Sequence, residues 1–181
     1  MKLRIEQLKE IPINFEYKEP WESFPVLQEM VSDGACRFEG SASISIQAVK
    51  ELDNFRVTGK VSIDTNLTCS RCLEPLFTTV ESRFTFFFHP VQSGLSMDED
   101  EVELDESDLV SSGFSGDEID LLPEIGEQIA LSIPLKPLCS ENCKGLCLEC
   151  GADLNSSACN CTDAQYNYKF SALKDFKVRS K

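Results

Sequence analysis

Histidine is almost missing from this chain: His89 is the single copy among 181 residues. A cysteine–histidine nucleophile pair would have to use it, yet it stands before Pro90 at the end of an alternating segment, with no recognisable context. A phosphate-binding Walker loop, the spaced glycines of a dinucleotide site and an HExxH pair are absent too. These gaps point to a non-enzyme with no small-molecule substrate. No apolar run approaches the ~18–20 residues of a membrane helix, so no membrane span is expected. The opening MKLRIEQLKE places a charge every two or three residues and holds no apolar stretch of a secretory signal. A cytoplasmic, reducing setting follows as the expectation, and disulfides rarely persist there.

Positive charge is also scarce. Seventeen basic residues face 31 acidic ones, for a formal charge of −14. Such a surface repels nucleic-acid phosphates over most of its area and attracts a basic protein, although net charge also serves simple solubility.

What the chain does have is alternation. In 55–67 (FRVTGKVSIDTNL), Phe55, Val57, Gly59, Val61, Ile63, Thr65 and Leu67 share one face of a period-two pattern. Ala42, Ile44, Ile46 and Ala48 alternate before it; Leu76, Thr78, Val80, Ser82, Phe84, Phe86 and Phe88 do so after it. Short links (ELDN at 51–54, CSRCLEP at 69–75) make these an antiparallel meander. The predicted class is α+β, mainly β: a curved antiparallel sheet or partly open barrel, with an N-terminal strand in 2–9 able to join it. Helices are predicted over 22–32 and 123–133. In the second, Pro123 fits the first turn, Ile119, Leu122, Ile125, Ile129 and Ile133 recur at helical spacing, and Pro134 stops the pattern. Trp21 reads as a packing residue.

The organisation expected is a β-rich core at 1–92, an acidic loop at 93–117, a helix packing on the core at 118–136, a Cys-rich zinc-binding segment at 137–163 and a basic tail at 164–181. Eight of the eleven residues in 98–108 are acidic. Such a run is either a solvated loop or a docking segment for a cationic partner.

Cysteine is the other abundance. Cys139, Cys143, Cys147, Cys150, Cys159 and Cys161 fall within 23 residues, and Cys69 and Cys72 form a second C-x2-C at the turn between two strands. Nine cysteines cannot all pair within one chain. Redox enzymes place C-x-x-C at a helix start after a βαβ pattern, whereas here the motif joins antiparallel strands. Zinc fits better. In Cys147-Leu-Glu-Cys150-Gly151 the glycine permits the positive φ of a knuckle turn, and Gly145 gives similar freedom on the entry side. The segment is too poor in apolar residues to build its own core, so a metal would supply its folding energy. With Cys36 set aside as a small buried apolar residue, eight ligands remain. The preferred partition puts Cys147, Cys150, Cys159 and Cys161 in one site, and Cys69, Cys72, Cys139 and Cys143 in another. A single site with spare cysteines stays open.

The pair formed by CSRCLEP at 69–75 and IPLKPLCSENCKGLCLECGADLN…CNC at 133–161 resembles the large ribosomal RNA subunit accumulation protein (YceD) family, found in bacteria and chloroplasts. The likeness spans most of the chain. It implies a non-enzymatic factor for large ribosomal subunit biogenesis that supports 23S rRNA accumulation. The acidity of the chain suits a basic large-subunit ribosomal protein as partner; 23S rRNA or the pre-50S particle would be met directly or through it. Within that family the CxRC turn is the more widespread motif and the C-terminal cysteine cluster is not universal. The alternative is a zinc–thiol redox switch or chaperone, which needs low-pKa thiols near basic residues. Arg71 and Lys144 are the only basic residues within Cys69–Cys72 and Cys139–Cys161. A third reading is RNA binding through the basic tail.

Overall fold

The computed structural model describes residues 1–34, 36–52, 54–91 and 111–161. Along the chain come β1 (Lys2–Arg4), β2 (Ile13–Pro20), α1 (Pro25–Ser32), β3 (Arg37–Glu51), β4 (Asn54–Thr68), β5 (Pro75–Pro90), β6 (Ser111–Phe114), β7 (Glu118–Asp120) and α2 (Leu122–Ser132). Five strands form one sheet in the order β2–β3–β4–β5–β6. The first four are antiparallel neighbours, while β6 runs parallel to β5.

Period-two alternation puts one face of this sheet in the core. Phe55, Val57, Val61, Ile63, Thr65 and Leu67 of β4 are all buried, as are Ala42, Ile44, Ile46 and Ala48 of β3. Thr65, the one buried polar residue among them, donates its hydroxyl to the Thr78 carbonyl at 2.9 Å. Gly59 breaks the apolar run for a steric reason. A Cβ there would lie 2.7 Å from the Phe84 ring and 2.8 Å from Ile46, so the missing side chain is the room that Phe84 occupies. The helices close the core. Phe24 at the entry to α1, Leu27 of α1, and Ile125 and Ile129 of α2 are 0–1% exposed, in one cluster with the sheet residues. Gln128 of α2 also donates to the Ser82 hydroxyl of β5 at 3.2 Å.

The α+β class and the three long strands follow the sequence pattern; several details do not. The sheet is open, with β2 and β6 as its edges, so no barrel closes among the described residues. It is mixed rather than wholly antiparallel, and β6 and the turn before β7 lie inside the stretch 93–117 expected as a loop. The four-residue β6 carries no alternation to read; its register comes from β5, and Phe114 anchors it edge-on to Phe55 at 5.7 Å. The N-terminal strand exists but pairs with β7 in a separate two-stranded sheet, because Leu3 and Ile119 bury together there. Ile119 is therefore a strand residue, although its spacing fits the helix. Strand β2 lies outside the segments predicted from alternation. The first helix starts at Pro25 rather than 22, after a 3₁₀ turn at Trp21–Ser23. Trp21 packs against Phe38 at 6.2 Å, and Cys36 is buried. The acidic run 98–108 and the tail 164–181 lie outside the described residues.

Candidate metal centres

The first group of cysteines is built where β4 turns into β5. The turn closes through Cys69 N–H to the Glu74 carbonyl at 2.9 Å and Leu73 N–H to the Cys69 carbonyl at 3.0 Å, which leaves the Cys69 and Cys72 side chains buried. Helix α2 ends at Ser132, and its extended C-cap, Ile133, precedes Pro134. The chain then runs back to the turn, where Ser70 N–H donates to the Pro137 carbonyl at 2.8 Å. That contact delivers Cys139 and Cys143. The sulfurs of Cys72 and Cys139 are 3.6 Å apart, those of Cys69 and Cys143 3.8 Å, and all four lie within 4.8 Å of one another. Leu138 and Leu146 pack against this group.

The second group is Cys147, Cys150, Cys159 and Cys161, again within 4.8 Å. It is more open: Cys147 and Cys159 are half-buried, Cys150 and Cys161 exposed. The knuckle is fixed by Gly151 N–H to the Cys147 carbonyl at 2.9 Å and Cys147 N–H to the Ala152 carbonyl at 2.8 Å. Gly145 and Gly151 take φ of 76° and 73°, the left-handed region where a side chain is strained. At Gly145 a Cβ would also approach the Arg71 carbonyl to 3.0 Å.

Backbone amides and neighbouring sulfurs set the thiol acidities in opposite directions. Amides of Cys72, Cys139 and Arg71 donate to Cys69 and bring it down to about 6. The Glu74 amide lowers Cys72, but burial and the sulfurs of Cys69, Cys139 and Cys143 together push it up to about 12. In the second group the amides of Cys150 and Glu149 bring Cys147 down to about 7, while hydrogen bonding to Cys150 and burial raise Cys161 to about 12. Each group thus favours one thiolate and resists the next. A divalent cation reverses that resistance, because its own charge becomes the largest in the site.

The structure brings the eight cysteines together in two sets of four, the grouping preferred from their spacing. Cys36 stands apart from both sets. His89 lies on β5 with its Nδ1 3.1 Å from the Ser111 hydroxyl, and is not among the metal-capable groups found in the described residues. Three supporting residues carry no signal that spacing rules detect. Arg71 donates its guanidinium to the carbonyls of Cys143 at 2.8 Å and Glu141 at 3.3 Å, and its own carbonyl accepts Leu146 N–H at 3.1 Å. Pro137 offers the carbonyl already described. Asn155 places its amide nitrogen 3.4 Å from the Cys143 sulfur.

Comparison with known proteins follows the same stretch. The family described as large ribosomal RNA subunit accumulation protein YceD matches residues 57–177. A chloroplastic YCED homolog 1 of Zea mays, named a large ribosomal RNA subunit accumulation protein, is 30% identical over 140 residues, covering 65% of this chain and 47% of that protein. The large ribosomal RNA subunit accumulation protein YceD of Haemophilus influenzae is 38% identical over 87 residues, 48% of this chain and 47% of its own. An uncharacterized protein of Mycobacterium tuberculosis is 36% identical over 103 residues, 55% and 45% respectively. The chain spans somewhat under half the length of these curated relatives. No solved structure matches it.

Proposed function

Because this chain belongs to the YceD family of large ribosomal RNA subunit accumulation proteins, we propose that it serves large-subunit biogenesis by binding, without catalysis of its own, and so supports accumulation of 23S rRNA. The observation that carries this reading is the matched stretch, which begins inside β4 and takes in all eight clustered cysteines. The partner proposed is a basic large-subunit ribosomal protein, met in the cytoplasm; the net charge of −14 supports it by complementarity. Contact with 23S rRNA or the pre-50S particle would then be made through that protein.

Each set of four cysteines is proposed to hold one zinc ion. The donors fit: all are sulfur, each set lies within 4.8 Å, and the two separations of 3.6 and 3.8 Å in the first set lie near the ~3.8 Å edge of a tetrahedron with Zn–S about 2.3 Å. Zinc when bound would supply the folding energy that the apolar-poor segment lacks. The chain's own residues do the positioning. The Pro137 carbonyl holds Cys139 toward the β4–β5 turn, Arg71 clamps the backbone at Cys143, and the two left-handed glycines turn the knuckle. Four cysteines leave no position for water, as in closed structural sites. One observation favours a second reading, a zinc–thiol redox switch: Cys150 and Cys161 are exposed. Thiol titration with and without chelator separates the two, since a structural site yields its thiols only when the metal is withdrawn.

Deletion of the gene tests the function. Large-subunit particles and 23S rRNA are expected to fall relative to the small subunit. Unchanged sucrose-gradient profiles, in cold or slow growth as well as normal growth, would sink the assembly role.

A further inference from the structure

Asn155 belongs by position to the loop between Cys150 and Cys159, yet its side chain serves the other group of cysteines. Its amide nitrogen donates to the Cys143 sulfur at 3.4 Å and to the Asp153 carboxylate at 2.7 Å. Its amide oxygen accepts the Lys144 N–H at 2.7 Å, the peptide immediately after Cys143. Asp153 in turn accepts Asn155 N–H at 3.0 Å and so holds the asparagine in place. Both amide hydrogens and one lone pair are thus engaged, and no other side chain fills these roles. Aspartate lacks the donor, and glutamine is one methylene too long. Backbone links run beside it: Leu154 N–H to the Gly145 carbonyl at 2.9 Å, and a bridge between Leu146 and Asp153.

Four thiolates around a divalent cation leave two negative charges unbalanced, and an N–H aimed at one sulfur offsets part of that excess. Building on the zinc reading above, we propose that Asn155 is a positioning residue that couples the two centres: the ordered second loop presents an amide donor to a ligand of the first. The coupling is reciprocal. Folding of the loop tightens metal at the first centre, and metal at the first centre favours folding of the loop by the same factor. The eight cysteines then load as one linked unit rather than as two independent knuckles.

Zinc titration of the full chain against a competing chelator, with site-resolved alkylation of Cys143 and Cys147, tests this in the native protein and in Asn155→Ala and Ser157→Ala. Ser157 is the control, because its hydroxyl caps the Asp153 carbonyl at 2.9 Å in the same loop and has no hydrogen bond to sulfur among the described residues. Asn155→Ala is expected to weaken zinc at the first centre by about 10–100-fold and to speed alkylation of Cys143, while Ser157→Ala leaves both within about twofold. In a double-mutant cycle, Cys147→Ser should weaken the first centre in the native background and have little further effect beside Asn155→Ala. Unchanged first-centre affinity in Asn155→Ala, or an equal loss in Ser157→Ala, overturns the proposal while leaving the zinc reading intact. Native chain that takes up less than about half an equivalent of zinc sinks the zinc reading itself. Native protein loaded with cadmium-113 gives an answer independent of any variant's folding. A scalar coupling between the Asn155 side-chain amide and the metal is expected, and its absence overturns the assignment.

Discussion

Cys69 and Cys147 open their motifs in the same way, but one is fully buried and the other half-buried, so one substitution at each should separate the centres. Cys147→Ser is expected to release the zinc of its own centre and loosen 139–161 while the sheet stays folded. Cys69→Ser should also release one zinc but cost about 2 kcal/mol or more, because a buried donor set loses a partner. Elemental analysis and denaturant unfolding followed by circular dichroism read both. Glu124 offers a second test at this scale. Its Oε2 is buried without a hydrogen-bond partner among the described residues. Burial above all raises its carboxyl above the usual range, with repulsion from Glu127 and Asp120 adding and hydrogen bonds from its own amide and Ser112 opposing. The native state therefore keeps a proton that the unfolded chain has released, and stability falls as pH rises from the ordinary carboxylate range through the raised value. Glu124→Gln removes that loss. It should be more stable than the parent at pH 7 by less than about 1 kcal/mol, since water still screens the half-exposed side chain, and indistinguishable from it below about pH 4.

Strand β6 is held by one large side chain, so Phe114→Ala is expected to cost about 2–3 kcal/mol and release the strand from β5. Hydrogen exchange gives the readout: the Val91 amide, which donates to the Phe114 carbonyl at 2.9 Å, should lose protection while β4 amides keep theirs. This strand also marks the limit of what the sequence discloses. The long strands are legible because alternation over a dozen residues fits a half-buried strand and no helix, and α2 because its apolar residues sit between two prolines. Strands of three or four residues have no period, and their identity comes from whatever they meet. Ile119 shows the cost of this, since its place three before Leu122 fits a helix and its contact with Leu3 makes it a strand. The cysteine sets were readable for a related reason: four sulfurs that could share a metal ion obey spacing rules. Asn155 was not readable. A residue that supports a ligand is chosen by where the loop folds, and nothing in DLNSSA declares it.

At the scale of the molecule, charge should govern partner binding. Association with the proposed partner, a basic ribosomal protein, is expected to be fast and to weaken with salt, as the Debye length shrinks from about 10 Å at 0.1 M to about 3 Å at 1 M. Neutralising Asp98, Glu99, Asp100 and Glu101 together should slow association more than it speeds dissociation, a difference that stopped-flow mixing resolves. Tighter binding to naked 23S fragments than to the protein, at physiological salt, would point to the basic tail instead. The first cysteine group has a temporal meaning as well. Its sulfur pairs join residues 67 and 74 positions apart, and β5, β6, β7 and α2 all lie within the span they enclose. Closing so long a loop with a covalent link would remove about 4 kcal/mol of denatured-chain entropy, and a metal clip acts in the same sense. On a ribosome making about 5–20 residues per second, the distal pair follows the proximal pair by roughly 3–15 seconds. During that interval Cys69 and Cys72 wait at the end of a nascent hairpin with no second pair to meet. Capture of the proposed ion at this centre would therefore record that the chain has been made through α2 and has come back to its own sheet.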